Sequence, residues 1–513
     1  HLDGLNRALS FYNAHKSVFG NWSRHRFREY VAGECSPAQR AAMGIEDASG
    51  FDVAAYIRSK GWALDDPRWN RDPVWQAYKV YYAESRRELT AFLRRDIKAL
   101  ASRLDLDLAI SGNLIPIWPG LALHQGFLDI CYFEWVPLRG FGLHSYGLPH
   151  TGGRLGYIGR LAQKVGTVPY AWASIGLVND DLKGLSGLHR LIAYHCFANR
   201  LIPDWNYHMA GNRDSPGTAE SFAGVTRFFQ QVADLGLGER SYAADVGVVY
   251  DAWEELASVT VSGQFVEPFT WEFSGWCDYL EDRQRQWDVV LSQGDLSLSD
   301  LEPYEVILLP SFSTISTAAA DAVRAYVRGG GRAVVTGMTG ARYPRSGHLM
   351  PRPVNPFRDF VHEHFHRTTD TPGRRYRRKG KDAAAAAAMG RLLTFPGTEG
   401  SLLSVEPSLD AGINLSVGTR EGRPFLTIDI VNWAYDPSDD AMIPGPPAWI
   451  TVRLPEPLRD AVRYRVRTLC SSERETYGLI ELADDRVGIG DGILRVHVPP
   501  TTGYRIVVVE PDG

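Results

Sequence analysis

Cysteine is scarce. Five thiols (Cys35, Cys131, Cys196, Cys277 and Cys470) are spread over 513 residues. They are too far apart for the paired spacing of a zinc site or for a disulfide framework. Cys131 and Cys196 lie in apolar runs and read as core thiols. No apolar run approaches the ~20 residues of a helical membrane span. Positive charge is not in excess: the formal net charge is -5 at pH 7, which leaves no basic footprint for nucleic acid. The single basic cluster, Arg374-Arg-Tyr-Arg-Arg-Lys379, reads as a solvated loop rather than a polyanion site. H-E-x-x-H, the P-loop and a serine in G-x-S-x-G are all missing. Gly329-Gly-Gly331 lacks the G-x-G-x-x-G spacing after a strand and reads as a helix end and turn, so a dinucleotide site is not expected. The chain opens on His1 with no secretory leader. Its compartment stays open, with the cytoplasm favoured over secretion. A hydrophobic content of 44% and a charged content of 22% are those of a globular protein of about two to four domains.

Aromatic residues are abundant instead: 14 Trp, 23 Tyr and 21 Phe, with Trp concentrated before residue 290. Such richness fits carbohydrate stacking, although large cores account for part of it. Up to residue 240 strand-like and helical patterns alternate. Strands are expected at 106–111, 128–133, 168–174 and 201–205, and helices at 73–103, 154–165 and 185–198. The longest helix carries Val74, Tyr78, Tyr81, Tyr82, Leu89, Phe92, Ile97 and Leu100 near helical period. Alternating β and α units argue for a parallel sheet or barrel. Only about four units are visible where a closed (β/α)8 barrel needs eight. His1-Leu-Asp-Gly4 reads as the end of one more strand, so the N-terminal strands are expected upstream of residue 1 or from another chain.

A second α/β unit follows, with strands 245–250, 304–310 and 332–337 and an amphipathic helix at 317–328. Residues 343–382 read as irregular and basic, and Ala383 begins a helix. From about 400 to 511, short strands separated by turns (425–431, 449–454, 464–467, 493–498 and 504–509) read as an antiparallel β-sandwich. The expected layout is an α/β chain with an incomplete (β/α)8-type barrel at 1–240, a flavodoxin-like domain at 241–382 and a C-terminal antiparallel β-sandwich at 383–513.

Tyr304-Glu-Val-Ile-Leu-Leu-Pro310, Ala325-Tyr-Val-Arg-Gly-Gly-Gly331 and Ala333-Val-Val-Thr-Gly337 resemble the middle, trimerisation-type domain of glycoside hydrolase family 42 β-galactosidases. The domain order is similar as well. Ile110-Ser-Gly-Asn113 resembles the fifth strand end of that barrel, and Leu128-Asp-Ile the start of its sixth. Counting outward, His1–Gly4 would close the fourth strand, 168–174 would be the seventh and 201–204 the eighth. The pattern departs at the chemistry. The family carries Asn-Glu after its fourth strand and a nucleophilic Glu after its seventh, whereas this chain has Leu2-Asp-Gly4 and Ala171-Trp-Ala-Ser-Ile175. β-Galactosidase activity is therefore not implied. Carboxylates after strands four and six resemble by position the arrangement of retaining α-glycosidase barrels.

Glycoside hydrolysis needs two carboxyls flanking the bond. Glu134 is the candidate acid/base: Tyr132, Phe133 and Trp135 beside it should disfavour its charged form and suit it to donate a proton. The plain alternative is a loop Glu paired with Arg139. Asp3 is the candidate nucleophile, the alternative being a frayed terminus. Asp204 is the rival second carboxylate. Asp129, an odd number of residues from Glu134, falls on the opposite strand face and reads as a cap or a helix-facing salt bridge. Asn113, Trp135, Trp172 and Trp205 are candidates to hydrogen-bond or stack on a sugar. His144 joins them from the Gly-rich loop 139–154, with Arg139, Tyr146 and His150 beside it. Asn21, Trp22 and His25 are similar candidates from the insertion after strand four. Core packing and turn chemistry are the alternatives for each. The expected function is a cofactor-independent glycosidase, of retaining type, acting on an oligosaccharide or polysaccharide. Neither nucleic acid nor membrane is an expected partner, and the middle domain's resemblance implies a homo-oligomer, trimer or dimer. Two alternatives stand beside it. A non-catalytic sugar-binding protein on a decayed barrel would bind glycan without turnover. A polysaccharide lyase with Tyr146 or His144 as base would give unsaturated products.

Overall fold

The computed structural model describes residues 20–113, 126–135, 152–173, 186–204, 216–258, 260–261, 269–292, 295–378, 381–396, 400–436, 438–459, 461–471 and 478–512. A helical segment comes first, built on α1 (Asn21–Gly33) and the long α2 (Pro73–Arg103). The start of α2 is written locally. Asp72 accepts from the Trp75 amide at 2.9 Å, and Pro73 sits where its missing N–H leaves no bond unmade. The first turns of α2 bury Val74, Trp75 and Tyr78 against Phe27 and Val31 of α1. Its second half leaves Leu89, Phe92 and Leu100 exposed.

Four parallel strands follow, hydrogen-bonded in chain order: β1 (Ser111–Asn113), β2 (Ile130–Trp135), β3 (Val168–Ala173) and β4 (Ile202–Asp204). Helices α3 (Gly152–Val165) and α4 (Ser186–Ala198) connect β2 to β3 and β3 to β4, and α5 (Pro216–Asp234) follows β4. Parallel neighbours in chain order with helical crossovers are how a (β/α) barrel is wound. The strand expected from residue 106 is corrected: among the described residues only 111–113 are in register with β2. The Leu106 amide closes the end of α2 on Ala101, and the Leu108 carbonyl accepts from Lys98 Nζ. Backbone groups used at a helix end are not available to a ladder.

The middle domain is a five-stranded parallel sheet in the order β10-β9-β8-β6-β7. Its strands are β6 (Val246–Asp251), β7 (Trp287–Ser292), β8 (Val306–Pro310), β9 (Arg332–Thr336) and β10 (Phe365–Arg367). β6 and β8 are buried throughout, as a sheet covered on both faces requires. After β6 comes the short α6 (Ala252–Ala257), then α7 (Phe269–Asp282). Val248, Leu308 and Val334 face Phe273 and Trp276 of α7, while Val249, Leu309 and Val335 face α8 (Thr317–Arg328). Tyr157, Ile158 and Leu161 of α3 pack into the α7 layer, so barrel and middle domain share a core.

Residues 343–382 hold more structure than their composition suggests. They supply β10 and the helix α9 (Pro372–Arg378). The basic cluster is therefore largely a helix rather than a solvated loop. Tyr376 is buried and donates to Asp282, and the Arg374 amide donates to Glu272 at 2.8 Å. The acidic face of α7 neutralises cations that look unpartnered in the local sequence. Helix α10 (Ala383–Leu392) packs through Ala385 and Met389 into the same layer.

The C-terminal domain is a sandwich of two antiparallel sheets. One has the order β11-β16-β20-β19: Leu403–Glu406, Ala448–Arg453, Ile493–Val498 and Val487–Gly490. The other has the order β18-β17-β21-β13-β12-β5: Ile480–Glu481, Tyr464–Cys470, Tyr504–Pro511, Arg423–Asn432, Ala411–Arg420 and Arg240–Tyr242. Val452, Val496, Ile428 and Val507 meet in its core. A small hairpin, β14 and β15 (Tyr435–Asp436 and Ala441–Met442), reaches back to α4, where Asp440 accepts from the Gly187 amide at 2.8 Å. Arg160 of α3 ties the three domains together. Its guanidinium lies 4.0 Å from the ring centroids of both Tyr242 and Trp287. It donates to the Trp287 carbonyl at 2.8 Å and to Asn414 Oδ1 at 3.0 Å.

Candidate active site at the carboxyl ends of the parallel strands

The register of the first sheet brings separate parts of the sequence into one row. Glu134 pairs with Trp172, and Trp172 with Asp204. One step earlier on the same strand faces, Asn113 pairs with Tyr132, and Tyr132 with Tyr170. Paired residues of neighbouring strands share a face, and so do positions two apart on one strand. Asn113, Glu134, Trp172 and Asp204 therefore share one face, at the carboxyl ends of four strands. Cys131, one register step away, is buried among Tyr157, Ile158 and Leu161 of α3. The row lies on the face opposite α3, the inner side of a barrel wound this way. At the amino ends of two strands that face is open: Val168 is 43% exposed and Ile202 40%. Trp135 is in register with Ala173 and shares strand parity with Cys131.

Strand neighbours lie about 4.8 Å apart, so the backbones of Glu134 and Asp204, two strands apart, are separated by about 10 Å. Asp3, His144 and Trp205 lie outside the described residues, as do Arg139, Tyr146 and His150. Trp22 and His25 are exposed on α1, where His25 Nε2 lies 3.2 Å from Glu29.

Asp129 sits at the other end of β2. Arg94 and Lys98 each reach it at 2.8 Å, and it accepts from the Ile110 amide. Burial alone would raise its pKa, but these hydrogen bonds outweigh it and hold the carboxyl at about 2. It is an anchor for α2, as its strand face suggested. All five cysteines are buried and free. Among the described residues no three His, Cys, Asp or Glu converge as a metal site, and no helix is long and apolar enough to cross a membrane. Much of the tryptophan is structural: Trp69, Trp75, Trp253, Trp276 and Trp287 are fully buried.

Two carboxylates of the middle domain have raised pKa values and were not singled out by the sequence. Glu254 accepts from Ser313 Oγ and the Thr314 amide. Glu272 accepts from Trp276 Nε1, Thr336 Oγ1 and the Arg374 amide. Burial pushes each up to about 7 against the pull of those hydrogen bonds. At 2% and 0% exposure they are ties between elements, closed to substrate. No short motif marks them, because apart from Trp276 their partners are 59 to 102 residues away.

A parallel β/α sheet with carboxylates across its strand ends, joined to a flavodoxin-like domain and a β-sandwich, defines a glycoside hydrolase type of architecture. The comparisons agree. Residues 244–366 match the beta-galactosidase trimerisation domain of glycoside hydrolase family 42. The fold is similar to a beta-galactosidase from Bacillus circulans sp. alkalophilus (TM-score 0.62, 12% identity, 96% of this chain and 77% of that one). It is also similar to a beta-galactosidase from the haloarchaeon Halorubrum lacusprofundi (0.56, 13%, 98% and 78%) and to alpha-L-fucosidase isoenzyme 2 from Paenibacillus thiaminolyticus (0.54, 14%, 90% and 76%). No curated protein matches the sequence. The chain is thus family 42-like, in its middle domain by sequence and over nearly its whole length by fold.

Proposed function

We propose that this protein is a glycosidase that cleaves by two carboxylates, with Glu134 as acid/base and Asp3 as the nucleophile of a retaining reaction. The observation that carries the reading is the register: Glu134 lies in one row with Trp172 and Asp204, on the inner face of the sheet and at the carboxyl ends of its strands. In such sheets that edge is where substrates bind. The Glu134 carboxyl protonates the departing oxygen while Asp3 attacks the anomeric carbon. The resulting glycosyl ester is hydrolysed by a water that Glu134, now a base, deprotonates. No cofactor enters these steps. The bulk of the substrate is an oligosaccharide or polysaccharide, with Trp172 and Trp205 as stacking surfaces, Asn113 and His144 as hydroxyl partners and Trp135 flanking the acid.

The same row favours a second reading, in which Asp204 replaces Asp3. Two strands of separation suit the ~6.5–9.5 Å between carboxyls in inverting enzymes, which leaves room for a water. The test is turnover of Glu134→Gln, Asp3→Asn and Asp204→Asn on a panel of glycosides, with the first-formed anomer read by NMR. Glu134→Gln is expected to lose at least about 10²-fold on sugars with poor leaving groups and to keep much of its rate on dinitrophenyl glycosides, which need no proton. Retention of configuration with loss in Asp3→Asn identifies Asp3. Inversion with loss in Asp204→Asn identifies Asp204. Full activity of Glu134→Gln on an unactivated substrate refutes the assignment.

A further inference from the structure

A cleft of about 640 Å3 opens between α1, α2 and the segment of the middle domain carrying Arg345. Its volume falls within the ~300–1,000 Å3 of small-ligand sites. Its aromatic surface is the partly exposed Tyr30 ring, backed by the buried Tyr81, and both hydroxyls are fixed from behind. The Tyr30 hydroxyl is 3.1 Å from His348 Nε2, and the Tyr81 hydroxyl donates to the Ser23 carbonyl at 3.3 Å. The two rings stand 5.5 Å apart, tilted by 49°. Around them the lining alternates carboxylates and guanidinium groups, four glutamates and three arginines in all. Glu84 is half-buried, 3.5 Å from Arg345, and burial raises its pKa, with Glu88 and Glu34 adding to the rise. Arg87 Nε is buried without a hydrogen-bond partner. Glu34 and Glu88 have no ion-pair partner among the described residues.

Near-balanced charge selects neither a polyanion nor a strongly cationic ligand. It selects a neutral ligand whose groups donate to carboxylates and accept from guanidinium at once, and which has an apolar face for Tyr30. Sugar hydroxyls do both, and the C–H face of a pyranose supplies the rest. The cleft is also away from the candidate active site. Phe127, in its lining, precedes the amino end of β2 at Ile130, and Glu134 lies four residues along that strand, about 13 Å further on.

We propose that this cleft is a second carbohydrate-binding site, one that holds a short neutral oligosaccharide without cleaving it. The choice of sugar as ligand class rests in part on the function proposed above. The experiment is isothermal titration of the full chain carrying Glu134→Gln with galacto-, gluco-, xylo- and manno-trisaccharides, with spermidine and a sulfated disaccharide as charged probes. The expected result is saturable binding of at least one neutral trisaccharide. Arg87→Ala or Glu88→Gln should each weaken it about tenfold, or 1.4 kcal/mol, with unchanged circular dichroism and, on the Glu134 background, unchanged turnover. The proposal is overturned if no neutral trisaccharide binds in a way sensitive to either variant, or if spermidine or the sulfated sugar binds there in preference. Variant-sensitive binding by a chain that turns over no glycoside would leave this site standing and remove the glycosidase reading. Turnover without such binding would do the reverse.

Discussion

Asp129 and Glu134 stand on one strand, five residues apart, and their roles separate by parity alone. Asp129 turns towards α2 and is pinned by Arg94 and Lys98. That was legible because an odd spacing on a regular strand changes faces. Glu281 of α7 was not legible, because its surroundings are assembled from distant residues. It is 7% exposed, and its Oε2 has no hydrogen-bond partner. Burial pushes its carboxyl up to about 8, Asp278 and Asp282 add to the rise, and Arg160 and Lys381 oppose it. A folded-state pKa above the unfolded value near 4.3 means that the folded state holds the proton more tightly. Its contribution to stability is therefore full below about pH 4 and is lost as pH rises through about 8. Glu281→Gln should flatten that decline. Denaturant titrations are expected to show the variant equal to wild type at pH 4.5 and more stable by about 1–3 kcal/mol at pH 9. Parallel stability–pH curves for the two proteins would contradict this.

Elements with their own start signals were readable. Helix α2 spans the range its periodicity indicated, since Asp72 and Pro73 set its beginning. β3 and β20 fell where β-branched and aromatic residues alternate with turns. Elements fixed by remote partners were not readable. α9 looked like a charged loop until the carboxylates of α7 were placed beside it, and β10 is three residues whose only claim to be a strand is β9. Helix contacts offer a sharp test. At Gly159 in α3 an added Cβ would meet the Asn199 carbonyl oxygen, just beyond α4, at 1.7 Å. Helix propensity alone favours Ala over Gly by up to about 1 kcal/mol, so the sign of the effect reports which influence wins. Gly159→Ala is expected to destabilise the chain by about 2–4 kcal/mol. A neutral or stabilising result in chemical denaturation would mean that α3 does not approach α4 so closely.

At the scale of the whole molecule the order of architectures was visible in the sequence, because each has its own period and its own turn chemistry. The middle domain's resemblance is matched by residues 244–366. That match motivates the expectation of a homo-oligomer, a trimer first. Light scattering coupled to size exclusion should give a mass near three chains, and a monomer at micromolar concentration would contradict it. The way the domains are laced together was not visible. Strand β5 leaves the end of the barrel segment and becomes the edge of the C-terminal sandwich, pairing with Ser416–Gly418 of β12. With it comes Arg240, buried against Asp429 at 3.1 Å and 189 residues earlier in the chain. At the ~5–20 residues per second of synthesis, that cation emerges roughly 10–40 s before its carboxylate exists. The margin of the barrel segment is therefore unfinished until the last domain is made and can accept it.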